Sequence, residues 1–292
     1  MTDDSSVTPE WDPRTEQNLT GKPLVRLEPP GDDGVAEIVF NRPEKLNAWA
    51  WNATNELCAI ADDLRFDSSV RVVVMRGEGT SFCAGEDLRP ERHGVEERHA
   101  GRSPAEQVRN SYERARYCFE RWQVLTDLPQ PIVVAVHGYC LGAGVELAML
   151  GDIRIAASDA VFALPQATIG VPVVGGADLR LAAECGAGAA KLFALTGRRF
   201  SAHEAERFGM VQQVVEPAEL LPTARALARE IAGNAPLAVQ SIKRTINSFH
   251  RRGFQEAAHF EAMSSSVAFV SDDLYEGFAA AGAKRRPEFE GK

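Results

Sequence analysis

Val136-His137-Gly138-Tyr139-Cys140-Leu141-Gly142-Ala143-Gly144-Val145-Glu146-Leu147 follows Pro131–Val136, a continuous apolar run that reads as a strand buried on both faces. Its small residues stand at the C-terminal end of that strand, the edge where α/β sheets bind ligands. Gly142 and Gly144 let another atom approach the backbone closely. The spacing predicts a helix over Gly142–Leu150 directly after the strand. The first N–H groups of such a helix lack intrahelical acceptors, and its dipole is positive at that end, so an oxyanion is its natural guest. Glu146 lies one helical turn beyond Ala143, after roughly 300° of rotation and about 4.5 Å of rise. Its carboxylate therefore returns to the side faced by the Ala143 N–H. Two readings stay open on these residues alone. One is a carbonyl-activating site with its own acid or base; the other is packing glycines with a glutamate that complements the dipole. A phosphate loop fits less well, because Gly-Lys-Ser/Thr and GxGxxG are both absent.

A second segment, Ser81-Phe82-Cys83-Ala84-Gly85-Glu86-Asp87-Leu88, follows another apolar strand, Val70–Met75. Further out, Leu24–Glu28 and Val35–Phe40 read as a hairpin, and Asn52–Phe66 and Gln107–Leu125 as helices. Asp152–Ala157, Val161–Leu164 and Val211–Val215 read as short strands. Pro236–Arg251, Phe254–Val270 and Asp272–Ala283 read as three closing helices. The rhythm predicts an α/β chain of repeated β-β-α units with a C-terminal helical portion. The expected division is a polar tail over 1–22, a core over 23–215 and helices over 216–292.

Lys plus Arg number 32 and Asp plus Glu 41, a net charge of −9, which argues against broad binding to a nucleic-acid backbone. Five cysteines without a CxxC pair argue against a disulfide framework or a metal site and for a reducing compartment. No apolar run reaches the ~20 residues that span a bilayer, and the acidic start lacks the pattern of a secretory signal. A soluble cytoplasmic protein is expected, with no metal, no separate cofactor, and neither nucleic acid nor membrane as a partner.

Five stretches together resemble the enoyl-CoA hydratase/isomerase (crotonase) superfamily. They are Asn41–Ala48, Phe82–Leu88, His137–Asp152, Phe162–Gly170 and the closing Ser271–Phe289. The resemblance runs from about residue 24 to residue 290. It implies a crotonase-like spiral of β-β-α turns, with helices that build homotrimers, often paired into hexamers. It also implies an acyl-CoA thioester as substrate, coenzyme A entering as part of that substrate. By motif position, the backbone N–H groups of Glu86 and Ala143 would hold the thioester oxygen and stabilise an enolate. Lys45, Ala48, Ala84, Gly85, Asp87, Leu88 and Gly142 fall on the segments that line the substrate.

Glu146 matches one of the two catalytic glutamates of the hydratases. The other normally stands in a Pro-Glu step twenty residues later, where this chain has Pro165-Gln166. An amide does not exchange protons near neutral pH, although Gln166 is suited to orienting a water or an acyl oxygen. The resemblance thus implies hydration of a 2-enoyl-CoA with Glu146 as the acid–base residue. Alternatives are C–C hydrolysis of a cyclic β-keto acyl-CoA, dehydration of a hydroxyacyl-CoA, or binding without catalysis.

Trp49 and Trp51 read as core residues, with shaping of an acyl pocket as the alternative. His137 reads as a satisfied structural histidine and Asp87 as a loop anchor. The charged run Arg89–Arg102 reads as a solvated loop. Arg92, His93, His99 and Arg102 are candidates for polar substrate contacts if that loop reaches over the site.

Overall fold

The computed structural model describes residues 21–88, 101–247 and 270–287, apart from 235, 237, 245, 271 and 286. The expected tail, the helix over Phe254–Val270, and Arg92, His93 and His99 lie outside the described residues.

A six-stranded sheet forms the backbone of the fold, in the order β1 (Val25–Glu28), β2 (Val35–Phe40), β3 (Val72–Gly77), β4 (Ile132–Val136), β6 (Ile153–Ala157) and β9 (Gln213–Val215). The expected hairpin β1–β2 is antiparallel, and every later pairing in this sheet is parallel. Alternation along the strands divides their side chains between two cores. Ile38, Val73, Met75, Ile132, Val134 and Val136 face the large one. Val72, Val74, Val133, Ala135, Ile155 and Ala157 face a smaller one. Both faces are covered, which is why β3 and β4 read as unbroken apolar runs.

Helix α1 (Trp51–Phe66) and helix α2 (Pro104–Thr126) pack against each other. Ser103 and Glu106 form a capping box that starts α2, three residues before the expected Gln107. Three short helices follow the site-bearing segments: α3 (Ala143–Ala148), α4 (Ala177–Glu184) and α5 (Ala187–Thr196). Helix α6 (Ala202–Arg207) precedes β9, and α7 (Leu220–Ala232) lies on the second face of the large sheet. Ala224, Ala228 and Ala232 recur at four-residue spacing on α7 and are buried there. Small side chains at that spacing let the helix axis approach the strands.

Two strand starts move by two residues. β3 runs two residues later than Val70–Met75, and β9 begins at Gln213 rather than Val211. A third difference is topological. The segment after β4 does not enter a helix directly, because Tyr139–Leu141 forms the short strand β5. β5 joins β7 (Val161–Ala163) and β8 (Phe200–Ser201) in a second, three-stranded sheet. The turns β4–β5 and β6–β7 each give one strand to each sheet, the β-β-α rhythm expected of the spiral. Gly138 makes the step between sheets. Its φ is +54°, and a Cβ there would stand 2.1 Å from the Thr80 carbonyl oxygen.

The final described helix, α8 (Asp272–Ala283), matches its expected limits. It packs on the 3-10 turn Pro165–Ile169. A Cβ on Gly277 would stand 1.7 Å from the Ile169 carbonyl oxygen, so only glycine allows this approach.

Candidate active site

The second sheet brings the two small-residue segments together. Cys83 and Cys140 form a parallel bridge. Cys83 N–H donates to the Tyr139 carbonyl at 2.9 Å, and Leu141 N–H donates to the Cys83 carbonyl at 3.0 Å. Gly144 sits on this seam, where a Cβ would be 2.4 Å from the Cys83 carbonyl oxygen. Gly85 has φ +101° and lies against the Leu141 carbonyl.

The Lys45–Ala48 segment joins from the other side. Ala84 N–H donates to Leu46 at 3.0 Å, Trp49 N–H to Gly85 at 2.7 Å, and Asp87 N–H to Trp49 at 2.8 Å. The bridge to Trp49 thus uses the groups on either side of Glu86 and turns the Glu86 N–H away from Trp49. Ala143 opens α3, so its own helix supplies no acceptor for its N–H. Lys45, Glu86 and Leu88 are exposed, Ala48 and Ala84 half-buried, and Gly85, Gly142 and Ala143 at the foot of the site.

Glu146 is buried one turn into α3. Burial, reinforced by the Glu86 and Asp178 carboxylates, pushes its pKa up to about 8, against hydrogen bonds from the backbone of Gly175 and Val174. Gln166 Nε2 donates to Glu146 Oε1 at 3.2 Å. Trp122 and the Glu146 carboxylate both crowd Gly175, where a Cβ would stand 2.5 Å and 2.8 Å from them. Sequence reasoning misses Val174, Gly175 and Asp178, although the Gly175-Gly176 pair is a visible sign that the backbone comes close to something there.

Asp87 turns its carboxylate to Arg42, whose Nη1 donates to it at 2.9 Å and to the Ala48 carbonyl at 3.1 Å. It anchors the loop, and this ion pair occupies the carboxylate placed among the substrate-lining residues. His137 Nε2 lies 2.9 Å from the Gly79 carbonyl, to which it donates as a structural histidine. Trp49 is core: its indole N–H donates to Thr54 Oγ1 at 2.9 Å, and its ring meets Trp122 edge-on. Trp51 is half-buried against Tyr117. Burial pushes the Cys83 thiol up to about 12 and raises that of Cys140, so neither is poised as a nucleophile. Among the described residues, no group of three or more His, Cys, Asp or Glu is arranged to hold a metal ion. None of the described helices is long and apolar enough to cross a membrane.

A fold whose two sheets converge on a glycine-rich helix start with one buried carboxylate defines a class of proteins, and comparison identifies that class. The enoyl-CoA hydratase/isomerase family model matches residues 31–292. The chain belongs to this family. It is 34% identical over 257 residues to a short-chain-enoyl-CoA hydratase of Clostridium acetobutylicum, covering 87% of this chain and 93% of that protein. It is 32% identical over 277 residues to a mitochondrial Delta(3,5)-Delta(2,4)-dienoyl-CoA isomerase of Dictyostelium discoideum, covering 93% of each. Among solved structures, an enoyl-CoA hydratase/isomerase of Xanthobacter autotrophicus Py2 superposes with a TM-score of 0.78 at 30% identity, covering 89% of this chain and 93% of that one.

Proposed function

We propose that this enzyme hydrates 2-enoyl-CoA thioesters to 3-hydroxyacyl-CoA, with Glu146 as its acid–base residue. The observation that carries this reading is the buried Glu146 carboxylate one helical turn from the Ala143 N–H, with Gln166 in hydrogen-bond contact. The thioester oxygen docks between the N–H groups of Glu86 and Ala143. These donors stabilise the enolate that forms when oxygen adds at Cβ. Ionised Glu146 takes a proton from the attacking water, and the same carboxyl returns a proton to Cα. One carboxyl serving both transfers in turn removes the need for a second carboxylate at position 166. The reverse reaction, dehydration of a 3-hydroxyacyl-CoA, uses the same groups.

Lys45 and Ala48 line the CoA side in this reading, and Ala84, Gly85, Leu88 and Gly142 form the walls around the thioester. The resemblance to a homotrimeric or hexameric family extends to a proposed oligomer. Exposed Ile242 and Ile246, four residues apart in sequence, support it. A cytoplasmic setting fits the absence of a disulfide pattern among the five cysteines.

The test is loss of enoyl-thioester absorbance on mixing the purified protein with crotonyl-CoA, with Glu146→Gln alongside. The expected result is turnover that falls by about 10²–10⁴ in the variant. Equal turnover by wild type and variant would remove Glu146 from the mechanism. No turnover by wild type, with thioester binding intact, would remove hydration of this substrate.

A further inference from the structure

Glu146 Oε2 is met by the backbone turn Val174–Gly176. Gly175 comes so close that a Cβ there would stand 2.8 Å from this oxygen, and the N–H groups of Val174 and Gly175 donate to the carboxylate. Arg180 holds that turn from its own helix. Its N–H donates to the Gly176 carbonyl at 3.0 Å, and its guanidinium folds back so that Nη1 donates to the Gly175 carbonyl at 2.9 Å. A Cβ on Gly176 would stand 3.0 Å from that Nη1 and 2.9 Å from the Phe119 ring. Nη2 reaches across to α2 and donates to Gln123 Oε1 at 2.9 Å. Gln123 is fixed in turn, since its Oε1 also accepts from Thr126 Oγ1 at 3.3 Å and its Nε2 donates to the Phe119 carbonyl at 3.4 Å. Arg180 is only 7% exposed. A cation stays out of water only where its hydrogen bonds are met, and a planar guanidinium holds two acceptors in one fixed geometry.

The residue before Gln123 shows what this tie sets. Trp122 packs its ring on the same turn, 2.5 Å from the place a Gly175 Cβ would take. Helix α2 thus touches the turn twice: the indole limits its approach, and the guanidinium held by Gln123 prevents its retreat. We infer that Arg180, tied to α2 through Gln123, is a positioning residue that holds the Val174 and Gly175 N–H groups against Glu146. It acts through the backbone and exchanges no proton. Those N–H groups favour ionised Glu146, the form that takes a proton from water. They work against burial and against the Glu86 and Asp178 carboxylates, which favour the protonated form. The Cys83 thiol also lies within electrostatic range of Glu146, while Gln166 and Trp122 meet it without charge. The inference rests on the role given to Glu146 above.

The test is a titration of Glu146 without substrate. The probe is the infrared C=O band of its protonated carboxyl, identified as the band missing from Glu146→Gln. Wild type is expected to lose this band at about pH 8. Arg180→Met is expected to lose it about one pH unit higher, the roughly tenfold change in ionisation that one hydrogen bond to a charged group supplies. Gln123→Leu keeps the guanidinium charge, cuts its tie to α2, and is expected to move the band the same way. On crotonyl-CoA, kcat/KM of Arg180→Met should be about tenfold lower at neutral pH and close to wild type on the alkaline plateau. A residue that only supports the fold would lower the rate equally at every pH and leave the band in place. An unmoved band in either variant, or an equal fall in rate at every pH, would overturn the inference, as would absence of the band from wild type. If Arg180→Met does not fold, Gln123→Leu decides alone. A band that moves in a protein without crotonyl-CoA hydration would keep the positioning role and remove only the reaction assigned to the site.

Discussion

Arg42 and Asp87 form a buried ion pair, Nη1 to Oδ2 at 2.9 Å, with only 9% of either side chain exposed. The same Nη1 holds the Ala48 carbonyl, and the Arg42 N–H donates to Asn47 Oδ1 at 2.8 Å. One guanidinium thus ties the Lys45–Ala48 loop to the segment that carries Glu86. Asp87→Ala would leave a buried cation uncompensated and is expected to cost about 3 kcal/mol or more in chemical denaturation. Replacing both partners by apolar residues, Arg42→Met with Asp87→Leu, should recover much of that loss. A double variant no more stable than Asp87→Ala would show that the ion pair is not the source.

The raised pKa of Glu146 fixes the direction of a pH–rate profile. As a base it must be ionised, so kcat/KM on crotonyl-CoA should climb with pH and level off above about 8. A profile flat between pH 6 and 9 would contradict its role as base.

Stability should run the other way at this residue. The folded protein holds the Glu146 proton up to about pH 8, whereas an ordinary glutamate releases it near 4.5. Between those values the folded state binds more protons than the unfolded one, so stability falls as pH rises. Glu146→Gln removes that slope. Its stability relative to wild type should rise across this window by on the order of a few kcal/mol. Urea denaturation of both proteins at pH 5 and pH 8.5 measures the difference, and a constant difference would contradict the burial argument.

Glu37 works with the opposite sign. Burial raises its pKa, but hydrogen bonds from Arg225 and Arg76 outweigh this and hold it below the usual 4.5. Its Oε1 and Oε2 accept from those residues, each at 2.6 Å, which ties α7 to the large sheet. Its contribution is present above the ordinary carboxylate pKa and lost as pH falls through its lowered value. Glu37→Gln should therefore flatten the acid limb of the stability curve. An acid limb as steep as that of wild type would place the effect elsewhere.

Gly144→Ala tests the seam between the two segments. The new methyl would stand 2.4 Å from the Cys83 carbonyl oxygen, and backbone on both sides must give way. The expected cost is about 1–3 kcal/mol, with a fall in kcat as Ala143 is displaced. Gly188→Ala, which meets nothing within 4 Å, is the matched control. Equal behaviour of the two variants would show that the close approach does not matter.

Much of this was legible in the residues because it is local. Apolar runs marked β3 and β4, helical spacing marked α1 and α2, and glycines at a strand end marked the turn before Glu146. The limits of β3 and β9 moved because apolar character does not reveal which residues a partner strand reaches. β5 escaped because three residues carry too little periodicity, and its strand character comes from pairing with Val161–Ala163.

Along the chain, the sequence alone determined the alternation of strands and helices and the glutamate one turn into a glycine-rich helix start. These depend on side-chain type and spacing, whereas the reading of Gln166 as standing in place of a second acid came from the family resemblance. Only the tertiary structure decided that Glu146 is buried among Trp122, Gly175 and Gln166, and that Asp87 belongs to Arg42. Those outcomes depend on desolvation and on contacts between residues 45 apart in the case of Arg42 and Asp87, and 20 apart in the case of Glu146 and Gln166. No local pattern records such distances, because they arise only when the spiral closes and water leaves the space between its turns.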